Sequence, residues 1–210
     1  MTFVDELHEV LPADLPERDV VIAKAAAHLE LIEAANQQFN LTRITGAREA
    51  AIKHVLDSVI PWRLFAEARR VLDAGTGAGF PGIPLALALP GTRFTLSESI
   101  QKKARFVEGA VEQLAIENVE VTSRRAEEIA GDAEIVTARA VAPLTRAITL
   151  FAPALRTGVR LLMYKGPDAE QEIAEAAAEA KRRRVRAHVV LRYDLPDAMG
   201  TRTVVEISRS

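Results

Sequence analysis

Apolar residues in the first third of the chain recur at helical spacing. Val20, Ala23, Ala27, Leu31 and Ala34 fall roughly on one face over 19–39, and Ile52, Val55, Leu56 and Val59 repeat the pattern over 47–68, before Pro61. The spacing predicts an N-terminal helical extension over 1–67. Between its helices, "NQQFNLTRITG" (36–46) predicts an ordered polar loop. From residue 70 the rhythm changes to short β-rich runs: "RRVLDA", "TRFTLSE", "NVEVTS", "EIVTAR", "VRLLMYKG", "RAHVVLRYD" and "TRTVVEISR". Helical segments between the early runs predict an α/β domain over 68–210 built on a parallel, doubly wound sheet of seven strands. Only "LPDAMG" separates the last two runs, too short for the crossover that parallel strands need, so these two are expected to pair antiparallel.

Composition narrows the setting. The 210 residues are 49% hydrophobic and 27% charged, which suits one main core with a short extension. A formal charge of −2 argues against a chain that is basic throughout, and the absence of cysteine excludes disulfides, thiolate nucleophiles and Cys-ligated metals. The first residues carry acids where an export signal would carry a basic head, and "IPLALALP" (83–90) is too short to span a bilayer. A cytoplasmic protein without membrane contact is expected. His8, His28 and His188 lack companions at metal spacing, so no metal site is expected.

Residues 71–84, "VLDAGTGAGFPGIP", hold four glycines and two prolines directly after an apolar run. If "RRVLDA" is the first strand, Gly75, Gly77 and Gly79 sit where sheet turns into helix, above the strand's carboxyl end, which is a cofactor position. Gly77, Gly79 and Gly82 literally satisfy the dinucleotide fingerprint, but that fingerprint begins at the glycine following the strand, here Gly75, which puts Phe80 at its third glycine position. Asp73, at the strand end, could orient the loop or accept a hydrogen bond from a ligand's ammonium group. Glu98, about 20 residues beyond the loop, could accept both ribose hydroxyl bonds of either cofactor. The bland alternative is that both are ordinary strand-end carboxylates. The spacing D-x-G-x-G-x-G is similar to methyltransferase motif I, and the antiparallel last strand resembles that of the Rossmann-like class I S-adenosylmethionine-dependent methyltransferase fold.

Further stretches make the resemblance specific: "FNLTRI" (39–44), "KHVLDS" (53–58), "DAGTGAGFPGIPLA" (73–86), "FTLSESIQKKARFVE" (94–108), "SRRAEE" (123–128), "TARAVAPL" (137–144) and "YKG" (164–166). In order and interval they resemble the bacterial 16S ribosomal RNA guanine-N7 methyltransferase family, RsmG (GidB), over roughly residues 36–166. The resemblance implies methyl transfer from S-adenosyl-L-methionine to N7 of a guanosine in the 530-loop region of 16S RNA, on naked RNA or the small ribosomal subunit. It implies cofactor contacts at Gly75, Phe80, Ala126, Glu127 and Arg139, beside Asp73, Gly77, Gly79 and Glu98. The family pattern more often has Asp at position 98, and the longer glutamate can still reach a ribose.

Guanine N7 carries a lone pair outside the aromatic sextet, so it needs no general base. Catalysis then rests on positioning, for which Arg139, Lys165, Asn40 and His54 are candidates. His54 and Asp57 share a helical face and, with Ser58, either wall the pocket, position RNA, or pin the helices to the domain. Asn40 either caps a helix or contacts the guanine. RNA affinity requires phosphate contacts, for which Arg43, Lys102, Lys103, Arg105, Arg124, Arg125 and Lys165 are expected, most of them at strand ends on the glycine-loop side. The "KRRRVR" run (181–186) is a solvated helix end or a further RNA contact. A methyltransferase with another substrate and a non-catalytic, RNA-binding assembly factor remain alternatives. An oxidoreductase is disfavoured by the glycine register and by the lack of a Tyr-x-x-x-Lys pair. A monomer is expected.

Overall fold

The computed structural model describes residues 1–38, 40–44, 46–139 and 142–210. Phe39 of "FNLTRI", and Ala140 and Val141 of "TARAVAPL", therefore lie outside the described residues. Seven strands form one sheet in the order β3-β2-β1-β4-β5-β7-β6. They are β1 (Arg70–Ala74), β2 (Arg93–Ser97), β3 (Val119–Thr122), β4 (Ile135–Arg139), β5 (Arg160–Lys165), β6 (Val185–Asp194) and β7 (Thr201–Arg209). β1 to β5 are parallel, while β7 runs antiparallel to both β5 and β6. The α/β class, the seven strands and the antiparallel final strand thus match the sequence reading.

Burial explains which run takes which place. β1, β4 and β5 read as near-continuous apolar segments and are buried on both faces, as central parallel strands must be. β3 and β6 alternate more polar residues, stay part-exposed and form the two edges. "LPDAMG" closes the β6–β7 hairpin, with Leu195 N donating to Gly200 O at 2.9 Å and left-handed φ at Asp197 and Ala198.

Helices α1 (Phe3–Val10) and α2 (Arg18–Asn36) precede the sheet. The helical pattern expected over 47–68 is not one helix. It begins as α3 (Ala47–Ala50), widens into a π turn over Ala51–Leu56, tightens to α4 (Asp57–Val59) and stops before Pro61. α5 (Gly82–Ala88), α6 (Gln101–Gln113), α7 (Ala126–Ile129), α8 (Leu144–Leu150), α9 (Ala152–Arg156) and α10 (Ala169–Arg183) alternate with the strands. One apolar cluster joins Leu7, Ile22, Leu29, Ile52 and Val59 of the early helices to Ile83 of α5 and to Val71 and Phe94 of the sheet. No described helix is long and apolar enough to cross a membrane.

Arg48 ties this arrangement at its rim, pairing with Glu6 at 3.1 Å and Glu9 at 2.8 Å of α1, and with Asp197 of the hairpin at 2.8 Å. Arg48→Ala strands the Glu6 carboxylate, whose side chain is only 5% exposed. The substitution is expected to lower the urea midpoint of unfolding. An unchanged urea midpoint would show that the cluster contributes nothing.

Candidate active site

The apolar run of β1 ends on Asp73, which is fully buried. Its Oδ2 accepts from Thr76 Oγ1 at 2.6 Å and from Gly82 N, the first residue of α5, at 2.9 Å. One carboxylate oxygen thus binds both the loop and the helix that follows. A Cβ at Gly82 would lie 2.7 Å from that same oxygen and 2.1 Å from Leu96 Cδ2, so this helix start requires glycine. Asp73 Oδ1 is buried without a hydrogen-bond partner. Burial, opposed by the Thr76 and Gly82 bonds and by Arg139, pushes the carboxyl up to about 6.

Between Asp73 and Phe80 the chain turns sharply. Gly75 N and Thr76 N both donate to Ser97 O at the end of β2, at 2.8 and 3.1 Å. Gly77 has φ +63° with open space where a Cβ would point, so conformation rather than crowding demands glycine there, and its surface is free for the close approach of a ligand. Its N–H donates to Glu98 Oε2 at 3.1 Å, and Glu98 Oε1 accepts from Ile100 N at 2.9 Å. Glu98 therefore joins the glycine loop to the residues that lead into α6. Ser97 Oγ donates to Arg124 O at 2.7 Å and brings the 123–126 turn to the same strand end.

Phe80 closes the loop. Its ring stacks on His54 with centroids 4.5 Å apart and planes 3° from parallel, and lies 5.0 Å from the ring of His28. The Arg139 guanidinium sits 5.5 Å from its centroid. Burial, with Arg139 nearby, pushes the His54 imidazole down to about 3. Burial pushes His28 down to about 4, with the backbone of Ala78 opposing, although neither ring nitrogen is in hydrogen-bonding geometry. Both rings are neutral in the physiological range.

Arg139, at the end of β4, reaches back to the π turn and α4. Its Nη1 donates to Lys53 O at 2.9 Å, Asp57 Oδ2 at 3.1 Å and Ser58 Oγ at 3.4 Å. Asp57 also accepts from Tyr193 Oη at 2.9 Å and pairs with Arg202 at 3.5 Å, while Tyr164 Oη donates to Ser58 O at 2.8 Å. Of the readings open for Asp57 and Ser58, pinning the helices to the sheet is the one that these bonds describe.

The structure gathers Asp73, Gly75, Gly77, Gly79, Phe80, Glu98 and Arg139 around one strand-end bend. Ala126 and Glu127 follow at the start of α7, with Ala126 buried. Lys103 is part-buried, while Lys102, Arg105, Arg124 and Arg125 are exposed beyond β2 and β3. Asn40 and Arg43 are exposed in the polar loop. Lys165 differs from the expectation of a phosphate-binding cation. Its side chain is 9% exposed, and its Nζ donates to Ala142 O and Glu172 Oε2, both at 2.7 Å. The "KRRRVR" run lies at the opposite end of the sheet, where β6 starts beside the end of β7, and Glu179 binds both Arg182 and Arg183. A cavity of about 730 Å³ lies against β1 to β3 and mixes Arg70, Arg93 and Arg124 with Glu117, Glu120 and Asp132; the glycine loop does not line it. Among the described residues no group of three or more His, Asp or Glu side chains could hold a metal ion.

The sheet order, the reversed final strand and the glycine bend at the first strand's end define a class I methyltransferase fold. It is shared with an O-methyltransferase from Bacillus cereus in complex with SAH (TM-score 0.59, 18% identity, 87% of this chain and 91% of that one). It is shared also with the O-methyltransferase TomG from Streptomyces achromogenes in complex with SAM (TM-score 0.57, 20% identity, 87% and 89%). The methyl donor of this class is S-adenosylmethionine. Within the class, residues 21–196 match the model of the GidB family, described as rRNA small subunit methyltransferase G, and the chain belongs to that family. Relatives named ribosomal RNA small subunit methyltransferase G include one from Solibacter usitatus, 67% identical over 99% of this chain and 100% of that protein. Another, from Sorangium cellulosum, is 42% identical over 75% and 69%. The protein is a methyltransferase.

Asp73 carries a testable cost. Because its folded pKa of about 6 lies above the ordinary 3.8, the folded state binds the extra proton, and stability falls as pH rises through that window. At about 1.4 kcal/mol per pKa unit the loss is on the order of 3 kcal/mol. Asp73→Asn keeps an acceptor for Thr76 and Gly82 but does not titrate, so its urea midpoint is expected to rise relative to that of the unchanged protein as pH goes from about 4 to about 8. A difference between the two midpoints that is the same at both ends of that range would refute the raised carboxyl.

Proposed function

We propose that this protein methylates N7 of a guanosine in the 530-loop region of 16S ribosomal RNA, using S-adenosylmethionine. The single observation that carries the reading is the loop of the family's methyltransferase fold: open over Gly77, braced by Glu98, and set beside a buried Asp73 oxygen with no protein partner. A carboxylate oxygen left unpaired in the interior fits a cationic ligand, because an unsatisfied buried acceptor costs free energy until a donor meets it.

In this reading Asp73, Gly75, Gly77, Gly79, Phe80, Glu98, Ala126, Glu127 and Arg139 form the cofactor site. Glu98 is placed to receive ribose hydroxyls on lone pairs not used by Gly77 and Ile100. When bound, S-adenosylmethionine supplies an electrophilic methyl on a sulfonium. Transfer of that methyl to the guanine N7 lone pair would leave the sulfur as a neutral thioether and the positive charge on the purine, so no side chain of this protein would have a proton to accept. Imidazoles held at about 3 and 4 are poor proton acceptors, and such a reaction asks for none. His54, Asn40 and Arg139 position the substrate. Lys102, Lys103, Arg105, Arg124, Arg125 and Arg43 contact phosphate, and Lys165, bound to Glu172, braces the β5 end from behind. The protein acts as a cytoplasmic monomer on ribosomal RNA.

Mass mapping of 16S RNA after incubation with the protein and methyl donor tests the reaction, run on naked RNA and on assembled small subunits. A new 7-methylguanosine in the 530-loop region is expected in one of the two. Methylation of another base, or of neither substrate, would sink the reading. Calorimetry tests the cofactor site independently. Asp73 is ionised above its pKa of about 6, so affinity for the cationic donor is expected to weaken as pH falls from 7 to 5. Asp73→Asn should bind more weakly than the unchanged protein at pH 7 and lose this pH dependence. An unchanged affinity in the variant would remove Asp73 from the site.

A further inference from the structure

His54 touches two loops at once. Its ring lies flat on Phe80 of the glycine loop, and its Nε2 is 3.1 Å from Thr42 Oγ1 in the polar loop. Thr42 Oγ1 also accepts from Ile44 N at 3.2 Å, and it keeps both a hydrogen and a second lone pair, so it bonds Nε2 in either tautomer of the neutral ring. The polar loop is otherwise held by Asn36 at the end of α2. Asn36 Oδ1 accepts from Leu41 N and Thr42 N at 2.8 and 3.0 Å, and its Nδ2 donates to Thr42 O at 2.9 Å. Asn40 and Arg43, on either side of Thr42, point into solvent.

The π turn over Ala51–Leu56 makes this double contact local. Its wider winding departs from the i to i+4 spacing of an ordinary helix, and such turns recur at functional sites. Here it presents the His54 ring to Phe80 while the Lys53 carbonyl, one residue earlier, accepts from Arg139. A phenyl ring at position 54 could stack but could not bond Thr42, and an amide could bond Thr42 but could not stack. Histidine does both, and as a neutral ring it does so without adding a charge beside Arg139.

We infer that His54 is a positioning residue that links the polar loop bearing Asn40 and Arg43 to Phe80 of the cofactor loop, so that one side chain sets the RNA-facing and donor-facing walls in register. The inference rests on the functional reading above. Two variants separate its halves. His54→Phe keeps the ring and loses the Thr42 bond, whereas His54→Gln keeps an acceptor for Thr42 and loses the stack.

Calorimetry with S-adenosylmethionine, and methylation kinetics with 16S RNA at saturating donor, read the two halves. For His54→Gln the donor Kd is expected to rise about threefold to tenfold, the range an aromatic pair contributes, with the RNA KM within twofold of the unchanged protein. For His54→Phe the donor Kd should stay within about twofold, while the RNA KM rises about threefold to tenfold, the range of one hydrogen bond. Thr42→Val removes that bond from the loop side and should reproduce the KM effect even where a residue-54 variant folds poorly. Equal losses of donor affinity in both His54 variants, no loss in His54→Gln, or an unchanged RNA KM in His54→Phe and Thr42→Val would overturn the link. The unchanged protein tests the functional reading separately: if it binds no donor or leaves 16S RNA unmodified, that reading fails before any variant is compared.

Discussion

A guanidinium at the end of β4 holds the two parts of the molecule together. Arg139 is 18% exposed and its partner Asp57 only 2%, so both charges lose most of their hydration, a loss that a lone ion pair in the interior seldom recovers. Here it is offset by saturation. Arg139 also donates to Lys53 O and Ser58 Oγ, while Asp57 receives Tyr193 and Arg202 as well. Residues from β4, β6 and β7 thus converge on one carboxylate at the start of α4, and Tyr164 of β5 adds a bond to the neighbouring Ser58 carbonyl. Bonds from β4, β5, β6 and β7 all end on the π turn and α4, so the network fixes where the early helices sit on the sheet.

The glycine loop depends on this placement from the other side. Backbone bonds to Ser97 O fasten its start, Asp73 its turn into α5, and Glu98 its middle. Phe80 has no such bond through its side chain and is held by packing alone, against His54, His28 and the face of Arg139. Two of these three partners belong to the early helices. The extension is therefore one wall of the loop rather than an appendage, and the shared apolar core of Leu29, Ile52, Ile83 and Phe94 has the same character.

What the sequence made legible was local. Strands announced themselves as β-branched runs, the antiparallel end followed from a six-residue connection, and Asp73, Glu98 and the glycines were readable because spacing along one strand–turn–helix unit fixes their geometry. What escaped needs partners far apart in the chain. Tyr193 is 136 residues from Asp57 and Tyr164 is 106 from Ser58, and no local pattern marks either. Lys165 stood at a strand end and read as a free cation, but Glu172, seven residues on at the start of α10, folds back to bind it. The face read over 19–39 misses the buried one: Val20, Ala23 and Ala34 are exposed, while α2 buries Val21, Ala25, His28 and Leu29, and nothing local signals that Gly79, lacking a Cβ, lets the His28 ring approach within about 3.1 Å of where that Cβ would stand. The π turn was illegible because its sequence, AIKHVL, keeps an ordinary helical apolar pattern while the backbone widens.

The buried polar groups around the bend differ in how their charge is met. His28 and His54 are driven neutral by burial and serve as flat, polarisable packing; Arg139 and Asp57 neutralise each other within a satisfied network. Asp73 alone among these is a carboxylate whose burial is only partly compensated, since Thr76 and Gly82 bind one oxygen and leave the other bare. The two donors alone do not call for a charged acceptor, so they do not explain an acid at this position. Such a charge is accounted for if something cationic meets the bare oxygen, because the interaction then recovers in binding what folding gave up.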